Sequence, residues 1–203
     1  MGKRWQEKRK NEHYYKKAKK EGYRSRAAYK LKQLHEKYDL LAKDDVTVDL
    51  GAAPGGWLQV AREKVGREGF VLGIDLEPIE ELDYENVKTI QADITEEGIE
   101  ELILKNLPRR PKVILSDASP NISGVWEVDH ARSVDLGRSA LSLAQELFDH
   151  EGNILIKVFQ GKFFEELKRE ARKDFDFLKA SKPEASRKRS AEIYLIGKGF
   201  IRD

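Results

Sequence analysis

Val46–Trp57 reads VTVDLGAAPGGW, and this stretch decides the fold. It begins with a short β-branched and apolar run, continues into a glycine-rich turn from Gly51 to Gly56, and resumes with apolar residues at helical spacing from Trp57 onward. A strand that enters such a turn and leaves it as a helix lets backbone N–H groups and the helix N-terminus approach a ligand that larger side chains would exclude. The stretch therefore predicts a cofactor-binding turn.

Length and composition narrow the class of protein. The chain has 203 residues and no cysteine, so it is long enough for one substantial core and offers neither disulfides nor thiolate metal ligands. Its first ten residues, MGKRWQEKRK, lack the apolar core of a signal peptide, and no apolar run reaches membrane-spanning length. We therefore expect a single domain, residues 1–203, in a cytoplasmic protein without a membrane partner.

Positive charge is concentrated at the N-terminus. The first 32 residues contain thirteen Lys or Arg and three Glu, whereas the whole chain has a net charge of only +2, so the remainder is acidic. Aromatic residues are interleaved with this basic segment, namely Trp5, Tyr14, Tyr15, Tyr23 and Tyr29. The combination suits phosphate contacts together with base stacking, although a solvated basic tail without a ligand has the same composition. The segment to residue 24 is predicted to be loose.

Helices and strands alternate downstream. Ser25 is predicted to cap a helix with one apolar face, formed by Ala27, Ala28, Leu31, Leu34 and Tyr38. Strands are predicted at 46–50, 70–75, 87–91, 112–117 and 152–159, with helices at 96–106, 129–148 and 162–172 and one from the glycine-rich turn to about residue 65. Two final strands, 175–180 and 191–197, are joined by a link too short for a crossover helix and should pair antiparallel. This alternation predicts a doubly wound α/β sheet with a mixed edge.

Carboxylates stand at or near the carboxyl ends of four predicted strands, at Asp49, Asp75, Asp93 and Asp117. In an open parallel sheet this edge is where ligands bind. A single acid there is more often a helix cap or a turn residue, but four of them together with a glycine-rich turn favour a ligand site. Asp75 follows Gly51 at about the interval expected of a ribose-binding carboxylate in a nucleotide-binding fold.

Two cofactors are compatible with the glycine-rich turn. GAAPGG fits a G-x-A-x-x-G pattern, which is the outline of an NAD site. However, Ala53 stands where NAD enzymes usually have glycine, and Pro54 is awkward in a turn that must wrap a pyrophosphate. S-adenosylmethionine has no pyrophosphate; its ribose and adenine would use Asp75 and Asp93, and its methionine part would lie over the turn. The sequence therefore favours S-adenosylmethionine over NAD.

One lysine interrupts a strand that is otherwise apolar. Lys157 follows Ile156 and precedes Val158, so we expect it to be desolvated. A buried lysine can lose its proton near neutral pH and then serve as a base. Three further charged residues stand at odd places, namely Lys30, Asp117 and Glu192; Lys30 and Glu192 taken singly are also compatible with ordinary ion pairs.

With these residues assembled, the sequence resembles a known family, the FtsJ-type (RlmE) ribose 2′-O-methyltransferases of large-subunit ribosomal RNA. The matching segments occur in family order over nearly the whole chain: YRSRAAYKL from Tyr23, DLGAAPGGW from Asp49, the acids Asp75 and Asp93, SDASPNISG from Ser116, IKVFQG from Ile156 and SRKRSAEIYLIG from Ser186. One departure is Ser119, where family members usually have alanine, and it leaves Asp117 and Pro120 in place.

The resemblance implies a fold, a site and a reaction. The fold would be Rossmann-like and S-adenosylmethionine-dependent, with a mostly parallel seven-stranded sheet, an antiparallel last strand and helices on both faces. The donor-binding positions fall on Gly51, Gly55, Trp57, Asp75, Asp93 and Asp117, and the catalytic set falls on Lys30, Asp117, Lys157 and Glu192. Lys157 would remove or orient the proton of a ribose 2′-hydroxyl, with no metal required.

The implied substrate is a uridine in large-subunit ribosomal RNA, either free or in the assembled large subunit. Residues 1–24 would form a basic RNA-binding extension, and the basic link 182–189 would add phosphate contacts, which supply affinity with little sequence selectivity. No obligate protein partner is indicated. The open alternatives are a tRNA ribose 2′-O-methyltransferase, an RNA-binding ribosome-assembly factor without turnover and, more distantly, an NAD oxidoreductase.

Overall fold

Helices and strands alternate along residues 2–202, which a computed structural model describes, with side chains given from residue 12 onward. None of the described helices is long and apolar enough to cross a membrane. In chain order the elements are α1 (Gly2–Glu21), α2 (Ala28–Tyr38), β1 (Val46–Leu50), α3 (Gly56–Val65), β2 (Phe70–Asp75), β3 (Val87–Gln91), α4 (Ile99–Lys105), β4 (Val113–Ser116), α5 (Trp126–Leu147), β5 (Asn153–Phe159), α6 (Phe164–Ala171), β6 (Phe175–Ser181) and β7 (Glu192–Phe200).

The described strands form one sheet in the order β3-β2-β1-β4-β5-β7-β6. β1 lies between β2 and β4 and is parallel to both, with Val48 opposite Leu72 on one side and Ile114 on the other. β7 lies between β5 and β6 and runs antiparallel to both. The mostly parallel seven-stranded sheet with an antiparallel last strand is thus confirmed, together with the antiparallel pairing of the last two strands.

Helices cover both faces of the sheet because successive strand residues point to opposite sides. Val48 and Leu50 of β1 face a core that α4, α5 and α6 complete. Leu115 and Leu155 face the opposite core, which α2 and α3 complete. Each of these four side chains is fully buried, which contributes roughly 1.5–3 kcal/mol apiece. With both faces covered, a ligand reaches the sheet only at its edges.

Four helices, α2, α4, α5 and α6, begin at residues other than those predicted, and the starts of α2 and α5 show why. α2 begins at Ala28, and no side chain caps it; Ser25 contributes its carbonyl oxygen to the Ala28 N–H at 3.3 Å. The Ser25 hydroxyl lies instead so close to Gly56 that a Cβ there would come within 2.3 Å of it. α5 begins at Trp126, three residues before the predicted start, with acids in its first turn, which suit the positive end of the helix dipole.

The basic N-terminal segment is a helix, not a loose extension. The last turns of α1 lie against the domain, where Ala18 is buried together with Tyr29 and Ala185. The hydroxyl of Tyr29 donates to Glu21 at 2.7 Å. The amphipathic signal that sequence patterns rely on is absent here, because this helix is highly charged and, among its described side chains, those of residues 12–21, only Ala18 is buried.

Packing occupies several of the aromatic side chains that were predicted to stack on bases. The rings of Tyr14 and Tyr23 lie with their centroids 5.4 and 5.9 Å from that of Tyr29. Tyr29 is buried, so its ring is not available to a base, whereas Tyr15 is 62 % exposed. The side chain of Trp5 lies outside the described residues. The stacking prediction is therefore wrong for Tyr29.

Candidate active site

A cavity of about 300 Å³ lies at the carboxyl edge of the sheet, where the strand order reverses between β1 and β4. Ligands of open α/β sheets bind at this switch point. Its wall includes apolar side chains such as Leu76, Ile94 and Leu136. Of the residues predicted to bind the cofactor, the wall contains Gly51, Asp75, Asp93 and Asp117.

The glycine-rich turn brings β1 against the loop that follows β4. Gly51 has a φ of +73°, and a Cβ there would come within 2.5 Å of the Ala118 backbone, so only glycine fits. Gly55 precedes α3 with a φ of +106°. Trp57 is 3 % exposed and donates its Nε1–H to the carbonyl oxygen of Ala27 at 2.8 Å. Gly55 and Trp57 shape the turn and tie it to α2, but neither forms part of the cavity wall.

Arg24 fastens the glycine-rich turn from outside. Its guanidinium donates to the carbonyl oxygens of Pro54 at 3.2 Å and Glu81 at 2.7 Å, and also to that of Glu80. Its backbone N–H donates to Gln59 of α3 at 2.8 Å. Arg24 therefore joins the turn to the loop after β2, a structural use that its place in a basic sequence segment did not indicate.

Asp75 and Asp93 present carboxylates on the cavity wall and are held there by local hydrogen bonds. Asp75 accepts from the backbone N–H groups of Ala53 and Glu77, each at 2.9 Å. Asp93 accepts from the hydroxyl and the N–H of Thr95 at 2.7 and 2.9 Å, and these bonds hold the pKa of Asp93 below its usual value. Because a carboxylate has further lone pairs, both groups can still accept from ligand hydroxyls.

Asp49 does not join the other acids. It lies one residue before the end of β1, is fully buried, and neither of its carboxylate oxygens has a hydrogen-bond partner among the described residues. Burial, and then the charges of Asp117 and Asp75, raise the pKa of Asp49 well above its usual value. The prediction that four strand-end acids form one ligand edge is therefore wrong for Asp49, whose side chain points into the core beneath α2 and α3.

The four residues of the predicted catalytic set come together as two ion pairs beside the cavity. Lys157 Nζ lies 3.3 Å from Asp117 Oδ1 and donates to the Asp117 carbonyl oxygen at 2.5 Å. Lys30 Nζ lies 2.7 Å from Glu192 Oε1. All four side chains are only 8–17 % exposed, so each charge depends on its partner. The sequence indicated the four residues but not how they pair.

Tyr194 is a member of this site that the sequence analysis missed. It lies opposite Lys157 in the β5–β7 ladder and donates its hydroxyl to Asp117 Oδ1 at 2.8 Å. Burial, and then the charge of Asp117, raise the pKa of Tyr194 well above its usual value, so it remains a donor. Its ring centroid lies 5.8 Å from Lys30 Nζ and 6.0 Å from the centroid of Trp57. A tyrosine inside the apolar run of β7 was the available signal.

Ser186 was missed as well, and it supports the second ion pair. Its hydroxyl donates to Glu192 Oε1 at 2.6 Å. Burial works to raise the pKa of Glu192, but the charge and hydrogen bond of Lys30, together with Ser186 and Lys157, outweigh it and hold that pKa below its usual value. Glu192 is therefore a carboxylate at neutral pH. Nothing in the composition of the link before β7 distinguishes Ser186 from its neighbours.

The fold and the edge cavity define a class, the Rossmann-like α/β proteins that hold a cofactor at the switch point of the sheet. A family model described as FtsJ-like methyltransferase matches residues 23–200. A relative from Methanothermobacter thermautotrophicus named ribosomal RNA large subunit methyltransferase E is 52 % identical over 200 residues, which cover 98 % of this chain and 95 % of the relative. A relative of the same name from Methanocaldococcus jannaschii is 48 % identical over 201 residues, covering 98 % and 82 %.

A solved structure gives the same indication. The crystal structure of a ribosomal RNA methyltransferase from Plasmodium falciparum superposes with a TM-score of 0.78 at 29 % identity, covering 89 % of this chain and all of the other. The chain therefore belongs to the FtsJ-like methyltransferase family. It is a methyltransferase with a Rossmann-like fold.

Proposed function

We propose that this protein transfers a methyl group from S-adenosylmethionine to a ribose 2′-hydroxyl in large-subunit ribosomal RNA, with a uridine as the target nucleotide. The observation that carries the proposal is the Lys157 amine, held by two oxygens of Asp117 beside the cavity that Asp117 itself helps to line. The names of the relatives support ribosomal RNA as the substrate.

The cavity fits an adenosine-bearing methyl donor. Asp75 and Asp93 can accept hydrogen bonds from ribose and adenine, and Leu76, Ile94 and Leu136 offer apolar surface to the base. A Cβ at Gly51 would close the approach between the turn and the loop after β4. When bound, S-adenosylmethionine supplies a methyl group on a sulfonium sulfur, and the carbon of this methyl group is open to attack by a hydroxyl oxygen.

The chain's own task is to position the hydroxyl and take its proton. The Lys157 amine, held by two oxygens of Asp117, is placed to orient the ribose hydroxyl or to take its proton. The Tyr194 hydroxyl donates to the same carboxylate oxygen, Asp117 Oδ1, that Lys157 approaches, and so holds this carboxylate in place. The Lys30–Glu192 pair is near enough for Lys157 to affect the pKa of Glu192. Bound S-adenosylmethionine would supply the methyl group, whose bond to sulfur would break as its bond to the ribose oxygen forms, and Lys157 would take the hydroxyl proton.

An anionic substrate suits the surroundings of the Lys30–Glu192 pair. Arg26 is half-buried, and burial together with the nearby charge of Arg187 lowers its pKa. An anion between or beside two guanidinium groups lowers the electrostatic energy of their mutual repulsion. Lys188 in the same link is exposed. These cations support an RNA backbone as the ligand that binds beside the Lys30–Glu192 pair.

The proposal is tested by supplying labelled S-adenosylmethionine with free large-subunit ribosomal RNA, with assembled large subunits and with tRNA. We expect label in the ribosomal substrates at one uridine, where the modified ribose resists alkaline cleavage of the following phosphodiester. Label in tRNA alone would support the tRNA alternative. Absence of label from every RNA, in protein that still binds the donor, would support the binding-factor alternative and contradict the proposal.

We also expect this reaction to proceed without an added metal. The described residues include no group of three or more His, Cys, Asp or Glu side chains that could hold a metal ion, and the proposed chemistry assigns the proton to Lys157. The labelled-transfer assay repeated in excess EDTA, with the RNA fold maintained by monovalent salt, should give the same extent of transfer.

A further inference from the structure

Apolar side chains are exposed at the loop and first turn that lead into α5. Within seven residues, Ile122 is 64 % exposed, Val125 53 %, Trp126 46 % and Val128 38 %. Exposed apolar clusters of this kind on soluble proteins mark interaction surfaces. We call these four side chains the α5 patch. None of them is part of the cavity wall.

Trp126 lies between His130 and Phe159 in a series of nearly parallel rings and is 46 % exposed. Its ring centroid lies 5.8 Å from that of His130 with an interplanar angle of 10°, and 6.1 Å from that of Phe159 with an angle of 21°. His130 in turn lies 5.6 Å from Phe163 at 7°. His130 is only 3 % exposed. Phe159 and Phe163 are half-buried, so Trp126 is the most exposed ring of the four.

Hydrogen bonds hold this series of rings in place before any ligand binds. His130 Nε2 accepts from the Phe163 N–H at 3.0 Å, and a Cβ on Gly161 would come within 2.7 Å of the same nitrogen. Asp129 accepts from the N–H and the hydroxyl of Ser123, each at 2.7 Å, which fixes the start of α5. A flat ring that is already immobile loses little entropy when a second ring stacks on it.

The α5 patch borders the acceptor side of the active site. Phe159, which contacts Trp126, lies opposite Glu192 in the β5–β7 ladder and two residues after Lys157 on the same face of β5. Two residues of a strand span about 6.6 Å, and the Trp126 ring centroid lies 6.1 Å from that of Phe159, so the α5 patch lies within reach of nucleotides that flank the acceptor ribose. Lys162 and Arg132 are exposed on the adjoining segments and supply positive charge.

We infer that Trp126 is a stacking platform for an unpaired base of the RNA substrate, next to the nucleotide whose ribose is methylated. This inference rests on the proposed function. The α5 patch offers four apolar side chains, whereas a stable interface between copies of the chain needs some 20–30 residues a side. One aromatic face, flanking cations and contact with the acceptor side suit a single nucleobase, because every base has a face that stacks on tryptophan.

The test uses a short single-stranded oligouridylate that carries one 2-aminopurine, whose fluorescence falls when it stacks on an aromatic ring. Trp126→Leu keeps apolar bulk but removes the ring face, and Trp126→Phe keeps a ring. We expect Trp126→Leu to weaken oligonucleotide binding about 5- to 150-fold and to abolish the quenching, while Trp126→Phe retains most of both. Phe177→Leu, at an aromatic side chain 42 % exposed on β6, is the matched control and should change neither.

Donor affinity and methyl transfer are measured on the same proteins. Oligonucleotide affinity within twofold of wild type for Trp126→Leu would overturn the inference. Quenching that depends on Trp126 in a protein that methylates no RNA would contradict the proposed function alone. If Trp126→Leu does not fold, a 4-thiouridine oligonucleotide photo-cross-linked to the wild-type protein must attach at Trp126, and attachment elsewhere would overturn the inference.

Discussion

At the scale of single residues, Asp49 is the acid whose environment differs most from that predicted. Its folded-state pKa is raised by burial and then by Asp117 and Asp75. A carboxyl group whose pKa is higher in the folded than in the unfolded state binds the extra proton when folded. Above the pKa of the unfolded state, about 4 for Asp, the unfolded protein has lost this proton while the folded protein still holds it. The stability of the protein therefore decreases as pH rises.

Replacing Asp49 with Asn should remove this contribution. We expect the free energy of unfolding of Asp49→Asn to increase relative to that of wild type as pH rises from 4.5 to 7, by on the order of 1 kcal/mol or more over that range, so that the variant becomes relatively more stable. Urea unfolding followed by far-UV circular dichroism at several pH values measures it. Asp83→Asn, at an exposed loop position, is the control. Parallel curves for wild type and Asp49→Asn would contradict the account of a protonated buried acid.

At the scale of elements, the glycine-rich turn depends on contacts that lie far away in sequence. Arg24 is thirty residues from Pro54 and precedes α2, yet it bonds the turn and the loop after β2. Trp57 reaches back to Ala27 in the same way. The start of α2 and the start of α3 therefore form one unit, which holds the donor side of the site in shape.

Arg24→Ala should weaken donor binding by roughly tenfold, because partly exposed charge-assisted hydrogen bonds each contribute on the order of 1 kcal/mol. Calorimetric titration with S-adenosylhomocysteine in the absence of RNA measures this effect separately from phosphate contacts. Arg67→Ala, at an exposed residue that follows α3 at the opposite end, should bind as wild type does. Equal donor affinity of Arg24→Ala and wild type would show that the turn keeps its shape unaided.

The same contacts explain what the sequence could and could not predict about the elements. β1, β2 and β3 have the predicted bounds because short apolar runs ended by acids or glycines are local signals. The pairing of Lys157 with Asp117 and of Lys30 with Glu192 joins residues 40 or more positions apart, and periodicity carries no information about such partners. Tyr194, Ser186 and Arg24 were missed for that reason.

At the scale of the whole molecule, the proposed donor side and the proposed RNA side differ in charge. Acids line the cavity, whereas cations adjoin the ion pair of Lys30 and Glu192. RNA binding releases counterions and should therefore weaken steeply with salt, with a slope of about −0.7 in log K against log [salt] for each phosphate contact on a single strand. Donor binding releases few ions, so the affinity for the donor should be nearly independent of salt concentration.

Titrations of RNA and of donor between 50 and 300 mM KCl test this difference. Lys188→Gln should reduce the RNA slope by about 0.7, whereas Lys105→Gln, exposed at the end of α4 and at the opposite edge of the sheet, should leave it unchanged. Equal salt dependence of donor and RNA binding would contradict the assignment of two distinct sides.

In the proposed mechanism, one site combines a donor cavity with an amine that acts on the acceptor hydroxyl. The most direct test is the single-turnover rate of methyl transfer by Lys157→Met, measured together with its donor affinity. Tyr194 still holds Asp117 on the cavity wall in this variant, so the donor Kd should stay within about threefold while the rate falls about 10²- to 10⁴-fold. Lys198→Met, at a half-buried lysine of β7 that donates to the Tyr38 carbonyl oxygen, should retain the rate. Methyl transfer by Lys157→Met near the wild-type rate would show that the Lys157 amine does not act on the acceptor hydroxyl.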